Sequence, residues 1–162
     1  MNRELVVAAA LAAGLSACAG ADVRYAPMEA VVPLPHERMM RISAISFKDA
    51  SGGVRAEGAA VSLKRPFFDV FREAAQSRLD ALKIRLSKRG GTFLDVELNR
   101  VDIKGGSGAA GEVTATVAYS VIVRGGLDAV CWRDASAWAT SRTGLVESPA
   151  ADALQKALVK AV

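Results

Sequence analysis

The stretch that decides the fold is Glu112-Val113-Thr114-Ala115-Thr116-Val117-Ala118-Tyr119-Ser120-Val121-Ile122-Val123-Arg124. Val113, Ala115, Val117, Tyr119, Val121 and Val123 share one parity, and Thr114, Thr116, Ala118, Ser120 and Ile122 share the other. A period of two puts the first set on one side of a pleated strand, which therefore has an apolar face and a wetter one. Upstream, Phe93–Lys104 carries Leu94, Val96 and Leu98 on one phase and Val101 and Ile103 on the next. A β-bulge near Asn99-Arg100 would return both sets to a common face. Downstream, Leu127–Thr140 places Val130, Trp132 and Trp138 on one parity and alanines on the other, with both tryptophans expected in the core. Gly105-Gly106-Ser107-Gly108 and Gly125-Gly126 separate the three runs. Connections this short predict an antiparallel meander, since parallel neighbours need a crossover of a dozen or more residues.

Two helical patterns flank the meander. In Pro66–Arg89, Phe67, Phe71, Ala74, Ala75, Leu79, Leu82 and Leu86 recur at spacings of three and four, and Gly90-Gly91 supplies a stop. Asp69 and Glu73 suit the positive end of that helix, and Lys83, Arg85, Lys88 and Arg89 its negative end. Ser148-Pro149 opens a second helix with Ala150, Ala153, Leu154, Ala157, Leu158 and Ala161 on one stripe. Arg41–Phe47 reads as a strand, Ala50–Gly58 as a loop or hairpin, and Ala59–Leu63 as a short strand. An antiparallel sheet of about four strands, covered on one face by two helices, buries every apolar stripe: an α+β two-layer sandwich.

The chain is 162 residues long, with 51% apolar, 23% charged and 6% aromatic residues, which suits one domain and excludes a disordered polar chain. Its net charge of +4 is too low for a dedicated nucleic-acid binder, and no nucleic-acid partner is expected. Residues 5–15 form an uncharged apolar run after Arg3. A spanning helix needs about 20 such residues, so the run reads as the h-region of a signal peptide. Leu15-Ser16-Ala17-Cys18 then resembles the bacterial lipobox. That resemblance implies peptidase recognition through Leu15, Ser16 and Ala17, cleavage before Cys18, and acylation of the Cys18 thiol. Several acyl chains, each contributing about 0.8 kcal/mol per buried CH₂, hold a protein stably in its leaflet. In the lipoprotein sorting pattern an Asp after the cysteine favours inner-membrane retention. Ala19 stands there, implying an outer-membrane anchor with the domain facing the periplasm.

The expected organisation is a lipoprotein signal peptide at 1–17, lipidated Cys18 and a flexible tether over 18–38, and one α+β periplasmic domain over 39–162. Pro27, Pro33 and Pro35 keep the tether extended. Signal removal takes away Arg3 and Glu4, so the mature chain keeps its net charge.

Catalytic templates are missing: there is no P-loop, no Gly-x-Ser-x-Gly and no His-Glu-x-x-His. His36, the only histidine, falls in the tether, and Cys131, in the apolar context Val130-Cys131-Trp132, reads as an inert buried thiol. Cys18, Cys131 and His36 lack zinc spacing, and neither a metal nor a cofactor is expected. Asp95, Glu97 and Asp102 read as the solvent face of a strand.

The order strand, long helix, glycine-punctuated meander and C-terminal helix over Arg41–Val162 resembles that of the YajG-like outer-membrane lipoproteins. It is also similar to the auxiliary lipoproteins of ABC-type envelope transporters. Phe67-Phe68-Asp69-Val70 and Leu94-Asp95-Val96-Glu97-Leu98 carry the likeness. The resemblance implies location and fold more than activity; with the catalytic templates missing, the expected role is a non-enzymatic envelope accessory or scaffold module that contacts the membrane through acylated Cys18 and meets an envelope protein partner. The alternative is an auxiliary lipoprotein of an ABC-type lipid or glycan transport system, with Ala74, Ala75 and Ala153 leaving room for acyl chains between sheet and helices.

Overall fold

The computed structural model describes residues 21, 23–24, 42–82, 84, 86–87, 91–105, 111–125, 128–142 and 148–162, with backbone alone over 128–132. The elements are β1 (Ile42–Asp49), β2 (Val54–Glu57), α1 (Phe67–Ala81), β3 (Thr92–Gly105), β4 (Glu112–Gly125), β5 (Asp128–Arg142) and α2 (Pro149–Ala161). They form a five-stranded, mostly antiparallel sheet packed against two helices, the α+β sandwich expected from the sequence.

β3, β4 and β5 make the antiparallel meander. The phase change in β3 is taken up between Leu98 and Arg100, so the bulge forms at Asn99 and both apolar sets face the helices. The remaining edge differs from a plain antiparallel array. β1 runs parallel to Thr92–Leu98, and β2 runs parallel to Val101–Lys104. The reason is the connection: α1 carries the chain back between β1 and β3, as a parallel crossover requires.

One broken edge strand thus spans β3, and its break lies opposite the bulge. Ser51 makes the break, donating from N–H (3.0 Å) and Oγ (2.6 Å) to Asp49 Oδ1, while its Oγ accepts from the Gly53 N–H. Ala50–Gly58, expected as a loop or hairpin, contains β2, whose short Val54-Arg55-Ala56-Glu57 has no readable alternation. The strand expected over Ala59–Leu63 reduces to a single bridge between Leu63 and Ala21. Gly58, at φ 68°, presses its carbonyl so close to Gly105 that any Cβ there would lie 2.1 Å from the oxygen.

α1 ends at Ala81, eight residues before Arg89, where the sequence pattern ends. Leu82 caps it by donating to Arg78 O, and Ser87 N–H then donates to Ile42 O at 2.7 Å while Leu86 bridges Ile42. Backbone bonding to the edge of the sheet replaces the last helical turns, although Leu82 and Leu86 keep helical spacing. Arg78 is therefore the basic residue of the last turn. Lys83, Arg85, Lys88 and Arg89, expected at the negative end of the helix, lie outside the described residues. At the other end Arg65 grips Glu73 through two bonds of 2.7 and 2.8 Å, and this pairing holds the exposed Glu73 carboxyl below its ordinary pKa.

The core joins Val70, Phe71 and Ala74 of α1 to Leu98, Val101, Ile103, Ala115 and Val117 of the sheet and to Ala153, Leu154, Ala157 and Leu158 of α2. α2 lies on β4 and β5, where small side chains on both sides permit close approach. Asp152 ties its first turn down. Burial pushes that carboxyl up, but the hydrogen bonds from Lys156 (2.6 Å) and Ser141 outweigh it and hold the pKa below normal. Tyr119 joins the layers: its ring lies 5.5 Å from Phe71 at 55°, and its hydroxyl donates to Ala161 O at 2.6 Å.

The sequence-based tether lies mostly outside the described residues, as do Leu15, Ser16, Ala17, Cys18 and His36. Two of its described residues touch the body. Ala21 N–H donates to Ser62 O at 2.5 Å, Ala21 O accepts from Lys64 N–H at 3.1 Å, and Val23 is only 3% exposed within the core.

Candidate functional site

The helices cover one face of the sheet, and the opposite face carries rows of polar side chains set by the strand register. Lys48, Glu97, Ser120 and Asp134 stand in one row across β1, β3, β4 and β5. Ser46, Asp95 and Ile122 stand in the next. Lys48 Nζ reaches Glu97 Oε1 at 2.9 Å, Ser46 Oγ donates to Asp95 Oδ1 at 2.5 Å, and Arg124 Nε donates to Asp95 Oδ2 at 2.7 Å.

The bulge adds the central feature. The extra residue, Asn99, sends its side-chain amide to Ser120 Oγ, which donates in turn to Asp134 Oδ1 at 2.6 Å. Ser120 is buried although it lies on the wet parity of β4. Above this chain is an open concavity of about 560 Å³, lined by Glu97, Asn99, Ala118, Ser120, Ile122 and Asp134 among others. Its two carboxylates and the amide oxygen of Asn99 are acceptors that suit cationic or amide donors on a partner.

Asp95 and Glu97 lie on this face as expected, in pairs. Asp102 departs from expectation: it is 8% exposed and paired with Arg100, because strands on both sides crowd the middle of the sheet there. Trp138 also departs. It shares the outer face opposite Thr116, is 63% exposed, and receives Lys160 Nζ 5.6 Å from its ring centre. The core face of β5 instead carries Ala135, Ala137 and Ala139, whose size suits the nearby alanine stripe of α2. Cys131 lies opposite Val123, and its side chain and that of Trp132 fall outside the described residues.

Between the helices a second, apolar cleft of about 100 Å³ is lined by Phe71, Leu79, Leu94, Val121 and Val162, among others. Ala74 and Ala153, expected to leave room for acyl chains, are fully buried in packing contacts, and Ala75 alone of the three lines the cleft. Among the described residues, no group of three or more His, Cys, Asp or Glu side chains converges, and no helix is long and apolar enough to cross a membrane.

The Asn99–Ser120–Asp134 chain was not legible in advance. Its members are 21 and 14 residues apart, and only the register makes them neighbours. The polar Asn99 beside the predicted bulge was the one available signal.

No family model and no curated protein matches the chain. Solved structures do. A Xanthomonas campestris protein described by the family model DUF330 is similar over 86% of this chain and 88% of its own, with a TM-score of 0.62 and 13% identity. A minor lipoprotein from Acinetobacter baumannii is similar over 75% of this chain and 85% of its own, with a TM-score of 0.44 and 11% identity. The Xanthomonas structure establishes a shared fold: the two-layer sandwich described above is one that another bacterial protein also adopts.

Proposed function

We propose that the protein is a lipid-anchored outer-membrane lipoprotein whose body faces the periplasm and serves as a non-enzymatic accessory or scaffold module. The observation that carries this reading is Leu15-Ser16-Ala17-Cys18 placed directly after the apolar run of residues 5–15, with Ala19 in the sorting position. The thiol of Cys18 is the lipid acceptor, and the small Ala17 suits cleavage before it. The uncovered outer face supports the scaffold role. It combines a polar concavity with the exposed Trp138, and a large aromatic beside satisfied polar groups is what a partner protein can use as an anchor.

The alternative, an auxiliary lipoprotein of an ABC-type envelope transport system, would gain support from a groove able to house an acyl chain. The cleft between the helices holds about 100 Å³. Small-molecule sites start at roughly 300 Å³, which this cleft does not reach, whereas a second cleft of about 410 Å³ lined by Val54, Leu63, Phe67, Phe68 and Val101 among others does.

Radiolabelled palmitate should enter the wild-type protein and be absent from Cys18→Ser, and the labelled protein should sediment with outer membranes. Equal labelling of both proteins, or a wild-type protein released without detergent, refutes the anchor.

A further inference from the structure

The contacts of Ala21 and Val23 fix how an acylated protein would sit. From Cys18 to Ala21 there are three peptide links, and consecutive Cα atoms are 3.8 Å apart, so the two Cα atoms are separated by at most about 11 Å whatever path the chain takes. Ala21 is bonded through both its N–H and its C=O to the segment at Ser62–Lys64, and Val23 is buried in the core. The proline-containing stretch therefore lies after the first docking point and cannot act as a spacer between lipid and body.

The docking point also has a definite place in the fold. β2 ends beside Lys104 and Gly58 abuts Gly105 at the end of the sheet where β3 passes to β4; from there the chain runs back, so that Leu63 and Lys64 lie beside Ser51, Val54 and Val101, and the docking point belongs to the half of the sheet nearer this end. Resting on the lipidation reading above, we infer that the body lies directly against the phospholipid surface by this end. The short link to Cys18 holds it there. Among the described residues this half of the sheet exposes Arg55, Lys64, Lys104 and Arg142, with Lys104 4.0 Å from Glu57, against the exposed carboxylates of Glu57 and Glu112, a balance that suits phosphate-bearing headgroups. The opposite end, at Thr92 and Gly125, stands away from the membrane. β3 has 14 residues, so at 3.3 Å per residue that end is roughly 43 Å further along the sheet.

The test uses the full acylated chain in vesicles of phosphatidylethanolamine and phosphatidylglycerol, in a Cys131→Ser background. A fluorophore is placed at Ala60→Cys or at Gly91→Cys, where an added Cβ meets nothing within 4 Å, and headgroup-nitroxide lipids quench it. Quenching at 60 should exceed that at 91 by about threefold or more, as expected for a quencher confined to the surface. A flexible spacer of about twelve Gly and Ser residues inserted before Ala21 should bring the two values together. Equal quenching in the vesicle-bound protein without the spacer, stronger quenching at 91, or no response to the spacer overturns the proposal while leaving the anchor intact. Failure of the anchor shows itself separately, because an unacylated Cys18 takes the fluorophore and the protein does not float with the vesicles.

Discussion

Tyr119 does two jobs with one side chain. Its ring packs on α1 through Phe71, and its hydroxyl donates to the last turn of α2 at Ala161 O. Burial pushes the phenol pKa up, against the opposing pull of Arg133 and Arg78. Tyr119→Phe keeps the ring and removes the bond, so it should cost about 1 kcal/mol in urea unfolding. A raised folded pKa means that stabilisation is complete below the unfolded value of about 10 and is lost as pH rises through the folded one. The alkaline loss of stability should accordingly be shallower in Tyr119→Phe, as read from denaturation midpoints between neutral pH and pH ~11. None of this was visible in the strand pattern, which identified Tyr119 as a core-facing residue and nothing more. A hydroxyl meeting a carbonyl 42 residues away depends on where α2 ends relative to β4.

Among the elements, α2 shows what small residues achieve. Ala153 and Ala157 are fully buried, and the facing stretch of β5 offers Ala135, Ala137 and Ala139. An alanine stripe is compatible with a ligand groove or with close packing, and the sequence alone leaves both open. The helix lies on the strands, so the space is filled by backbone approach. Ala153→Leu should therefore overpack the interface and destabilise by roughly 1–3 kcal/mol, measurable as a lowered midpoint in thermal melts followed by circular dichroism. Were the stripe a groove, the larger side chain would be accommodated at no cost. α1 teaches the reverse lesson: Leu82 and Leu86 extend its periodicity, yet the chain turns to bond the edge at Ile42. Periodicity reports which side chains can be buried together and is silent about a competing backbone partner.

For the whole molecule, the decisive contact links its first described residues to its body. Val23 is 3% exposed within the main core, although its sequence surroundings read as a tether. Fully burying a side chain of this size contributes roughly 1.5–3 kcal/mol, so Val23→Ala should lose about half of that or more in equilibrium unfolding. A protein in which 19–38 is only a spacer would show no change. On the proposed acylation of Cys18, the same contact would set the distance between body and anchor and so link stability to placement on the membrane.

Local patterns by themselves determined the meander, the bulge at Asn99, both helices and the covered face, because period and turn glycines depend on neighbours in the chain. Tertiary structure decided the parallel edge of β1 and β2, the end of α1, the outward Trp138, the Asn99–Ser120–Asp134 chain and the docking of Val23. Each of these is a pairing between distant segments, and its energy arises only once the sheet register has brought them together.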